Sequence, residues 1–411
     1  MNQQLRNDAE KIARGAIEAV CPDEAVRRAL ENVNLTDSVY LVAAGKAGWQ
    51  MASAAVKYLE RPVKQGIVVT KYDHVKGELP NISCYEAGHP VPDGNSYLAT
   101  QAVLDMTANL TQEDTVLFLL SGGGSALFEK PLVEPELLQE ITKKMLGSGA
   151  DIVEMNTIRK RLSAVKGGRF ALHCAPARIE SIILSDILGD PVDMIASGPA
   201  AADPVTKEEA KAIAHKYNVD EYEPVRCLLE QETPKEVPNV HTQIIGSVRE
   251  LCRAAEKVAA DLGYTCVFLS DKLDGEAADT GRWLAGELAK YAGCGRKTAL
   301  IAGGETVVKL KGTGLGGRNQ ELALAAAKAL KDIPNGAVIS VGSDGTDGPT
   351  DAAGGYVDTD TLRDLEAAGV DYDAMLENND SYHALKAIGN LVITGPTGTN
   401  VNDVTIGLIG G

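Results

Sequence analysis

The sequence predicts an α/β protein of two domains, and three observations carry that prediction. Short apolar runs alternate with longer segments of helical periodicity, which is the pattern of a parallel sheet with crossover helices. A length of 411 residues exceeds what one ordinary hydrophobic core organises. A charged, proline-punctuated stretch at 205–238 indicates helices that run into a linker. We therefore predict a boundary near Val237, with domains at 1–237 and 238–411.

The first domain contains four apolar runs that we predict to be strands, followed by amphipathic helices. The predicted strands are 39–45, 65–70, 114–122 and 178–186, and the predicted helices include 46–60 and 135–149. The second domain repeats the α/β pattern, with apolar segments such as TALIAGG and AVISVG on either side of a helix rich in Ala and Leu. Anions gather where strands end and helices begin, so these corners are the places to look for a site.

The composition excludes several classes of partner. A net charge of −17 argues against binding to nucleic acid or to an anionic membrane, and no apolar run is long enough to span a bilayer. The seven cysteines show no C-x-x-C or Cys/His spacing, which favours reduced thiols over zinc or disulfides. The amphipathic N-terminus lacks the apolar core of a secretion signal. We expect a cytoplasmic protein that binds small molecules.

Four corners are rich in glycine, at 43–48, 121–126, 312–319 and 394–400. In the first corner Lys46 follows Gly45, but Ala47 stands where a Walker A loop needs Ser or Thr. Lys46 is therefore either an exposed lysine or a cation that reaches a phosphate.

The second corner, SGGGSA, follows the most apolar strand, which should place it at the centre of a sheet edge. Its glycine amides and serine hydroxyls could hold a carboxylate or a phosphate, whereas the alternative is a surface turn. The residues concerned are Ser121, Gly122, Gly123, Gly124 and Ser125.

The third corner has glycines in a G-x-G-x-x-G frame at Gly312, Gly314 and Gly317, which is compatible with a dinucleotide or with phosphates. A dinucleotide fingerprint needs an acidic residue about 20 positions further on, at the end of the next strand. Asp332 comes before that strand and Arg318 directly follows the glycines. The loop is therefore better suited to phosphoryl transfer than to hydride transfer.

Charged side chains elsewhere give further candidates, each with a structural alternative. The segment 156–171 gathers cations that form either a solvated helix face or a basic rim for an anionic substrate. Aspartates after two predicted strands could accept a proton, hold a metal or cap a turn. They are Asp186, Asp190 and Asp193 after one strand, and Asp344, Asp347 and Asp351 after another. Among the histidines only His89 lies in a distinctive loop, where we expect it to organise the loop.

Eight motifs occur in a consistent order over almost the whole chain: AAGKAG, EAGHPVPDG, LLSGGGSAL, NTIRKRLSAVKGGR, LSDILGDPVDMIASGPAAADP, GLGGRNQELALA, GSDGTDGPTDAAGG and TGPTGTNVND. With them the chain resembles the type-2 glycerate kinase family, whose C-terminal part is called the MOFRL domain. The resemblance implies a Rossmann-like N-terminal parallel sheet with helices on both faces, a MOFRL-type α/β domain, and an active site in the cleft between them. It also implies that ATP and Mg²⁺ are used to phosphorylate D-glycerate at its 2-hydroxyl, giving 2-phosphoglycerate and ADP.

The resemblance also implies roles for particular residues. Lys46 and Arg318 would stabilise the transferred phosphoryl group, and Asp186 would orient or deprotonate the hydroxyl. The substrate would be bound by Ser121, Gly122, Gly123, Gly124, Ser125, Asn156 and Arg159. The nucleotide would be bound by Gly45, Lys166, Gly312, Gly314, Gly316, Gly317 and Asn319, and the metal by Asp190, Asp344 and Asp351. Arg161 stands where the family usually has His, which would add a charge beside the substrate rim.

Two other functions stay open at this point. Some members of the family have been called hydroxypyruvate reductases, so an NAD(P)H-dependent reductase is the main alternative, and a binding protein for small sugar acids is the second. The sequence does not determine the oligomeric state, and a homodimer is one of the possibilities. The 2-phosphoglycerate product rests on the resemblance alone.

Overall fold

The computed structural model describes residues 2–185, 187 and 189–410. The contacts within the chain divide it into two units. Residues 25–245 form one, which we call the parallel-sheet unit, and residues 1–24 with 246–411 form the other, which we call the mixed-sheet unit. In the part of the chain that the structure describes, no helix combines the length and the apolar character needed to cross a bilayer.

The parallel-sheet unit is built on six strands in the order β3-β2-β1-β4-β5-β6. They are β1 (Ser38–Ala44), β2 (Gln65–Lys71), β3 (Ile82–Ala87), β4 (Asp114–Leu120), β5 (Arg178–Leu184) and β6 (Val240–Gly246). Strands β1 to β5 pair in parallel, and this order is that of a Rossmann-like sheet. The four predicted strands are confirmed to within two residues at each end. Every residue of β4 is buried, as expected for a central parallel strand.

Helices connect these strands, and the two that the sequence predicted most clearly are confirmed. They are α2 (Pro22–Leu30), α3 (Gly48–Tyr58), α4 (Gly94–Thr107), α5 (Gly124–Leu127), α6 (Pro135–Gly147), α7 (Ile152–Arg161), α8 (Arg169–Cys174), α9 (Lys207–Lys216) and α10 (Glu223–Leu229). Helices α3 and α4 pack on the sheet, and its core includes Val42, Val69 and Phe118. Helices α6, α7, α9 and α10 share a separate apolar cluster with Ile158 and Leu229.

The boundary between the units lies at 245/246, beyond the predicted position near Val237. The difference arises because β6 lies beside β5 in the parallel sheet. Its half-buried pattern resembles that of any edge strand, so the linker-like composition before it pointed to a break one strand too early.

The mixed-sheet unit contains a second six-stranded sheet, in the order β11-β10-β9-β12-β8-β7. Its strands are β7 (Thr265–Leu273), β8 (Thr298–Gly304), β9 (Gly336–Gly342), β10 (Gly354–Asp358), β11 (Leu391–Val392) and β12 (Asp403–Ile409). Its helices are α1 (Gln3–Ala19), α11 (Val248–Asp261), α12 (Ala277–Ala289), α13 (Arg318–Leu330), α14 (Thr361–Ala367), α15 (Tyr372–Glu377) and α16 (Ser381–Ala387). Among the described residues of this sheet, β7 and β8 pair in parallel and the other strand pairs are antiparallel.

Helix α1 belongs to the mixed-sheet unit, which differs from the predicted domain 1–237. It packs on α11, β9 and β12, with Ile12 and Ile17 among its buried residues. The Tyr264 hydroxyl donates a buried 2.8 Å hydrogen bond to Asp8, and Thr399 donates to the carbonyl of Val20 at 3.1 Å. An amphipathic period shows that a helix has an apolar face, but it does not show which sheet that face covers.

Candidate functional site

The candidate site of the parallel-sheet unit lies at the point where the strand order reverses. Strands β1 and β4 are neighbours there, and each continues into a glycine corner. Ligands of open α/β sheets bind in the crevice outside the carboxyl ends of such strands. The two corners are bonded to each other, because Lys46 N–H donates to the carbonyl of Gly122 at 2.9 Å and Ala47 N–H donates to Ser121 Oγ at 3.0 Å. This confirms the central position predicted for SGGGSA.

Glycine is required at two positions because three loops approach closely there. Gly45 has φ +127°, and a Cβ on it would overlap the Ser121 side chain. Gly123 has φ +85°, and a Cβ on it would lie 3.0 Å from His89 Cδ2 and 3.2 Å from Lys46 Cγ. Within the described residues, the amides of Gly122 and Gly123 have no hydrogen-bond partner. Two free amides beside a lysine form a place where an anion can bind.

His89 lies at the candidate site, although we predicted for it only a loop-organising role. Its ring lies against Gly123 and Lys46, at the same edge as the two glycine corners. Burial lowers the pKa of His89, and the charges of Lys46 and Lys71 lower it further. The lowered pKa favours the neutral ring, whose two nitrogens can donate and accept hydrogen bonds. The available signal was its position directly after β3, since parallel strands bring their carboxyl ends to one edge.

Arg159 and Lys166 converge on the main chain of Ser125. Arg159 Nη2 donates to the Ser125 carbonyl at 2.9 Å, and Lys166 Nζ donates to the same oxygen at 2.8 Å. Lys166 also donates to the carbonyl of Phe128 at 3.0 Å and lies 3.4 Å from the buried Glu129 carboxylate. Burial lowers the pKa of Lys166 to about 8, with Arg159 adding to the effect and Glu129 opposing it.

These contacts change two of the predicted roles. Lys166 is fully buried, so the structure does not support the prediction that it touches a nucleotide; it fixes the glycine corner from beneath. The side chain of Arg159 is one-fifth exposed, and its Nη2 donates to the Ser125 carbonyl and lies 3.9 Å from Glu129 Oε2. Arg159 can therefore present its other N–H groups to a substrate carboxylate.

The cations of 156–171 could form a solvated helix face or a basic rim, but Lys160 and Arg161 are buried and belong to neither. Lys160 is buried between Asp193 and Asp203, at 3.0 and 3.1 Å. Arg161 is fully buried and donates to Glu232 at 2.8 Å and to the carbonyl of Val205 at 2.6 Å. Its charge is compensated inside the fold, so Arg161 adds no charge to a substrate rim. Spacing along α7 cannot distinguish a solvated cation from one paired with a distant acid.

Ser125, Ser197 and Asn156 form a chain of hydrogen bonds behind the glycine corner. Ser125 Oγ lies 3.1 Å from Ser197 Oγ, and Ser197 donates to Asn156 Oδ1 at 2.9 Å. Asn156 and Ser197 are buried, whereas Ser125 is half-buried. The predicted substrate residues Ser125 and Asn156 are thus brought together, but only Ser125 is placed to meet a ligand.

The aspartates after β5 are only partly described. Asp186, predicted to be catalytic, lies outside the described residues. Asp190 has φ +53°, and its Oδ1 is buried without a hydrogen-bond partner among the described residues. Such an oxygen keeps its lone pairs available for a cation.

In the mixed-sheet unit, Arg318 is held rigidly at the start of α13. Its Nε and Nη2 donate to the two oxygens of Asp403, at 2.5 and 3.0 Å, and its Nη1 donates to Glu305 at 2.9 Å. Asp403 starts β12 between the ends of β8 and β9, so three strands meet at this arginine. Burial lowers the pKa of Arg318, but Asp403 and Glu305 outweigh it and raise that pKa above its ordinary value. A guanidinium has five N–H groups, and these contacts leave two for an anion.

The glycine frame before Arg318 serves packing within the unit. Gly312 N–H donates to Asn379 Oδ1 at 3.0 Å, and Gly314 N–H donates to the carbonyl of Asn378 at 2.9 Å. A Cβ on Gly312 would lie 2.5 Å from Asn378 Cα, so glycine is needed for the approach of residues 378–380. The amides of Gly312 and Gly314 are thus engaged and do not fit the predicted phosphate cradle.

The neighbouring predicted nucleotide residues are also engaged inside the unit. A Cβ on Gly316 would overlap Ser381 Oγ, and one on Gly317 would overlap Asp347. The Asp347 carboxylate accepts the amides of Asn319 and Gln320 at 3.1 and 2.9 Å, so it occupies the N-terminus of α13. Burial raises the pKa of Asp347, although these hydrogen bonds oppose the rise. The structure therefore leaves the half-buried Arg318 as the cation of this corner that can meet an anion.

Comparison with known proteins identifies the family. The chain matches a domain of unknown function, DUF4147, over residues 8–230 and the MOFRL family over residues 298–403. It is 50% identical over 413 residues to the D-glycerate 2-kinase of Thermotoga maritima, covering 99% of each chain. The chain belongs to the glycerate 2-kinase family. The glycerate 2-kinase of Pyrococcus horikoshii is 40% identical over 433 residues, covering 98% of this chain and 97% of that one.

Solved structures of glycerate 2-kinase relatives share the fold. A crystal structure of glycerate kinase from Thermotoga maritima matches with a TM-score of 0.95 at 50% identity, over 99% of this chain and 100% of that chain. A structure of a Pyrococcus horikoshii protein matches with a TM-score of 0.92 at 39% identity, over 98% of both chains. An Agrobacterium vitis relative, 41% identical over 382 residues (90% of this chain and 87% of that one), carries a provisional hydroxypyruvate reductase name.

A kinase of the glycerate 2-kinase family is expected to use Mg²⁺, and the described residues could supply one or two carboxylate ligands to that ion. No group of three or more His, Cys, Asp or Glu side chains could hold a metal within the described residues. Mg²⁺ needs only one or two protein carboxylates when phosphates and water complete its shell. Asp344 Oδ1 accepts Thr346 N–H at 2.9 Å. A second carboxylate lies near it, because a Cβ on Gly342 would be 3.3 Å from Asp344 Oδ1 and 3.5 Å from Asp403 Oδ1. Asp351 instead accepts the Tyr382 hydroxyl at 2.9 Å. Asp344 therefore fits better than Asp351.

Proposed function

We propose that the protein transfers the γ-phosphoryl group of ATP to the 2-hydroxyl of D-glycerate, giving 2-phosphoglycerate and ADP. One observation carries the proposal: Lys46, the free amides of Gly122 and Gly123, and Arg159 surround one corner at the switch point of the parallel sheet. A small hydroxy acid offers that corner a carboxylate and a hydroxyl on adjacent carbon atoms. The names and full-length identities of the relatives support the same substrate.

The parallel-sheet unit supplies the groups that hold the acceptor. Arg159 and the two glycine amides suit the carboxylate of glycerate, because charge-assisted hydrogen bonds to a carboxylate are strong and directional. His89 lies at the same corner, where a ring nitrogen can orient a hydroxyl through a hydrogen bond. Asp186 stays our proposal for the group that orients or deprotonates the attacking 2-hydroxyl.

Two cations would neutralise charge on the transferred group. Lys46 leaves β1 at the acceptor corner, and Arg318 keeps two N–H groups for phosphate oxygens while Asp403 and Glu305 fix its plane. Fixed donors stabilise a transition state without reorganisation, which is the main source of catalysis in phosphoryl transfer. Mg²⁺, for which Asp190 and Asp344 are our candidate ligands, would supply further charge neutralisation on the phosphates when bound.

Two assays of the purified protein separate the candidate functions. We expect ADP release with D-glycerate, ATP and Mg²⁺, and phosphorus NMR should identify 2-phosphoglycerate as the product. NADH oxidation with hydroxypyruvate and no ADP release would establish the reductase instead. Inactivity in both assays, with binding of D-glycerate by calorimetry, would indicate a binding protein.

The same kinase assay tests the two cations. Lys46→Ala and Arg318→Ala should each lower kcat by about 100- to 1,000-fold, the usual loss for one transition-state charge contact. Lys76→Ala and Arg282→Ala remove exposed cations, one from each unit, and should leave kcat unchanged. Near-normal turnover in either site variant, with the fold intact by circular dichroism, would remove that residue from the mechanism.

A further inference from the structure

The hydroxyl of Ser125 belongs to a hydrogen-bond chain whose direction can be deduced. Asn156 Nδ2 lies 3.9 Å from Met194 Sδ, a weak acceptor, so the amide oxygen faces Ser197. Turned the other way, the amide oxygen would meet a sulfur atom that has no proton to give. Ser197 therefore donates its proton to Asn156 Oδ1 at 2.9 Å.

This assignment fixes the polarity of Ser125. Each serine hydroxyl has one proton, and that of Ser197 is already used. In the 3.1 Å contact between the two hydroxyls, Ser125 is therefore the donor and Ser197 the acceptor. With its proton turned inward, the hydroxyl of the half-buried residue Ser125 offers a ligand only its lone pairs.

The chain cannot remove a proton from a ligand. It ends at an amide oxygen, which is far too weak a base to be protonated near neutral pH, and it offers no carboxylate or imidazole on the way. A ligand hydroxyl that donates to Ser125 must therefore keep its proton. This excludes the hydroxyl that attacks a phosphoryl group, because that hydroxyl has to lose its proton during the reaction.

Ser125 is also held in place from three sides. Its carbonyl accepts both Arg159 and Lys166. Ser197 lies in a left-handed turn, with φ +51° at Ala196 and +62° at Ser197, which non-glycine residues adopt only when their surroundings impose it. Ala196 packs on Gly124, where an added Cβ would lie 2.8 Å from the Ala196 Cβ. The turn and the glycine corner therefore fix each other.

We propose that Ser125 determines specificity by accepting a hydrogen bond from the substrate hydroxyl that is not phosphorylated, which is the 3-hydroxyl of D-glycerate. This inference rests on the proposed function, because it assumes that the same corner holds the hydroxy acid. It assigns Ser125 a hydroxyl partner, whereas the carboxylate is left to Arg159 and the glycine amides.

Kinetics with two analogues test the inference. D-lactate lacks the 3-hydroxyl, and the 3-fluoro analogue of D-glycerate replaces it with an atom of similar size that cannot donate. Ser125→Ala should raise the KM for D-glycerate by about 10- to 100-fold, as for the loss of one hydrogen bond in a protein site. The competitive inhibition constants of both analogues should change by less than about threefold. Ser197→Ala frees the Ser125 proton, so it should also reduce the preference for D-glycerate over the two analogues.

The controls separate this inference from the proposed function. Ser148→Ala removes an exposed hydroxyl of the same unit and should leave all constants unchanged. If D-glycerate and both analogues weaken equally in Ser125→Ala, Ser125 contacts a group that they share and the inference is overturned. It is also overturned if wild-type protein binds the 3-fluoro analogue as tightly as D-glycerate. Absence of kinase activity in the wild type would instead refute the proposed function.

Discussion

Single residues around the glycine corner show how burial decides what a cation does. Lys160, Arg161 and Lys166 are all fully or almost fully buried and hold the fold together through carboxylates and carbonyls. Arg159, on the same helix as the first two, keeps part of its guanidinium exposed. Of these four cations within eight residues, three stabilise the fold and one, Arg159, can contact a ligand. Their spacing in the sequence gives no sign of that division.

Lys166 should make stability depend on pH in a defined window. Its pKa is about 8 in the folded protein and 10.5 in the unfolded chain, so between these values the unfolded state holds a proton that the folded state has released. Stability then rises with pH across that window, by about 3 kcal/mol at most, and below pH 8 the group contributes no pH dependence. Lys166→Met removes this contribution.

Thermal unfolding at pH 7.5 and at pH 10 measures the effect. The unfolding temperature of the wild-type protein, relative to that of Lys166→Met, should be higher at pH 10 than at pH 7.5. Lys76→Met, which changes an exposed lysine, should follow the wild type at both pH values. Parallel profiles for wild type and Lys166→Met would contradict the prediction.

Elements of the parallel sheet could be predicted, whereas contacts made at a distance could not. Strand β4 is predictable because a short, continuous apolar run that ends in glycines is typical of a buried parallel strand, and its central place puts Ser121 and Lys46 at one edge. The role of Gly312 and Gly314 could not be predicted, because Asn378 and Asn379, which accept their amides, lie more than sixty positions away. A glycine frame shows that the backbone is approached closely, but it does not show by what.

Two glycines of helix α12 illustrate the same distinction and can be tested against each other. A Cβ on Gly281 would overlap the carbonyl of Leu322 on α13, whereas no atom lies within 4 Å of a Cβ on Gly286. Gly281→Ala should therefore destabilise the protein by roughly 1–3 kcal/mol through overpacking. Gly286→Ala should stabilise it by roughly 0.5–1 kcal/mol, because alanine loses less backbone entropy in a helix.

The pair shares one helix and one substitution, so each variant is the control of the other. Unfolding followed by circular dichroism should move the two midpoints in opposite directions. Equal shifts would show that helix propensity, and not the contact with α13, governs both positions.

At the scale of the whole molecule, residues that are neighbours in the sequence do not always belong to the same unit. The first 24 residues belong with 246–411, so the mixed-sheet unit is discontinuous in sequence. The DUF4147 match begins at residue 8, so it includes most of α1 together with the parallel-sheet unit, whereas the MOFRL match over 298–403 lies within the mixed-sheet unit. Neither match reveals that α1 packs against β9 and β12. The amphipathic pattern of α1 predicts that the helix has an apolar face, but it does not predict which strands that face packs against.

The membership of α1 leads to a prediction that uses the two tryptophans of the chain. Trp49 lies in the parallel-sheet unit and Trp283 in the mixed-sheet unit, so Trp283→Phe and Trp49→Phe backgrounds report each unit separately. Ile12 is fully buried on α1, and Ile12→Ala should cost about 2–5 kcal/mol as a core truncation. We expect the urea midpoint reported by Trp283 to fall further than that reported by Trp49. Ile179→Ala, an equally buried position on β5, should give the opposite order, and a larger effect of Ile12→Ala on Trp49 would place α1 with the parallel sheet.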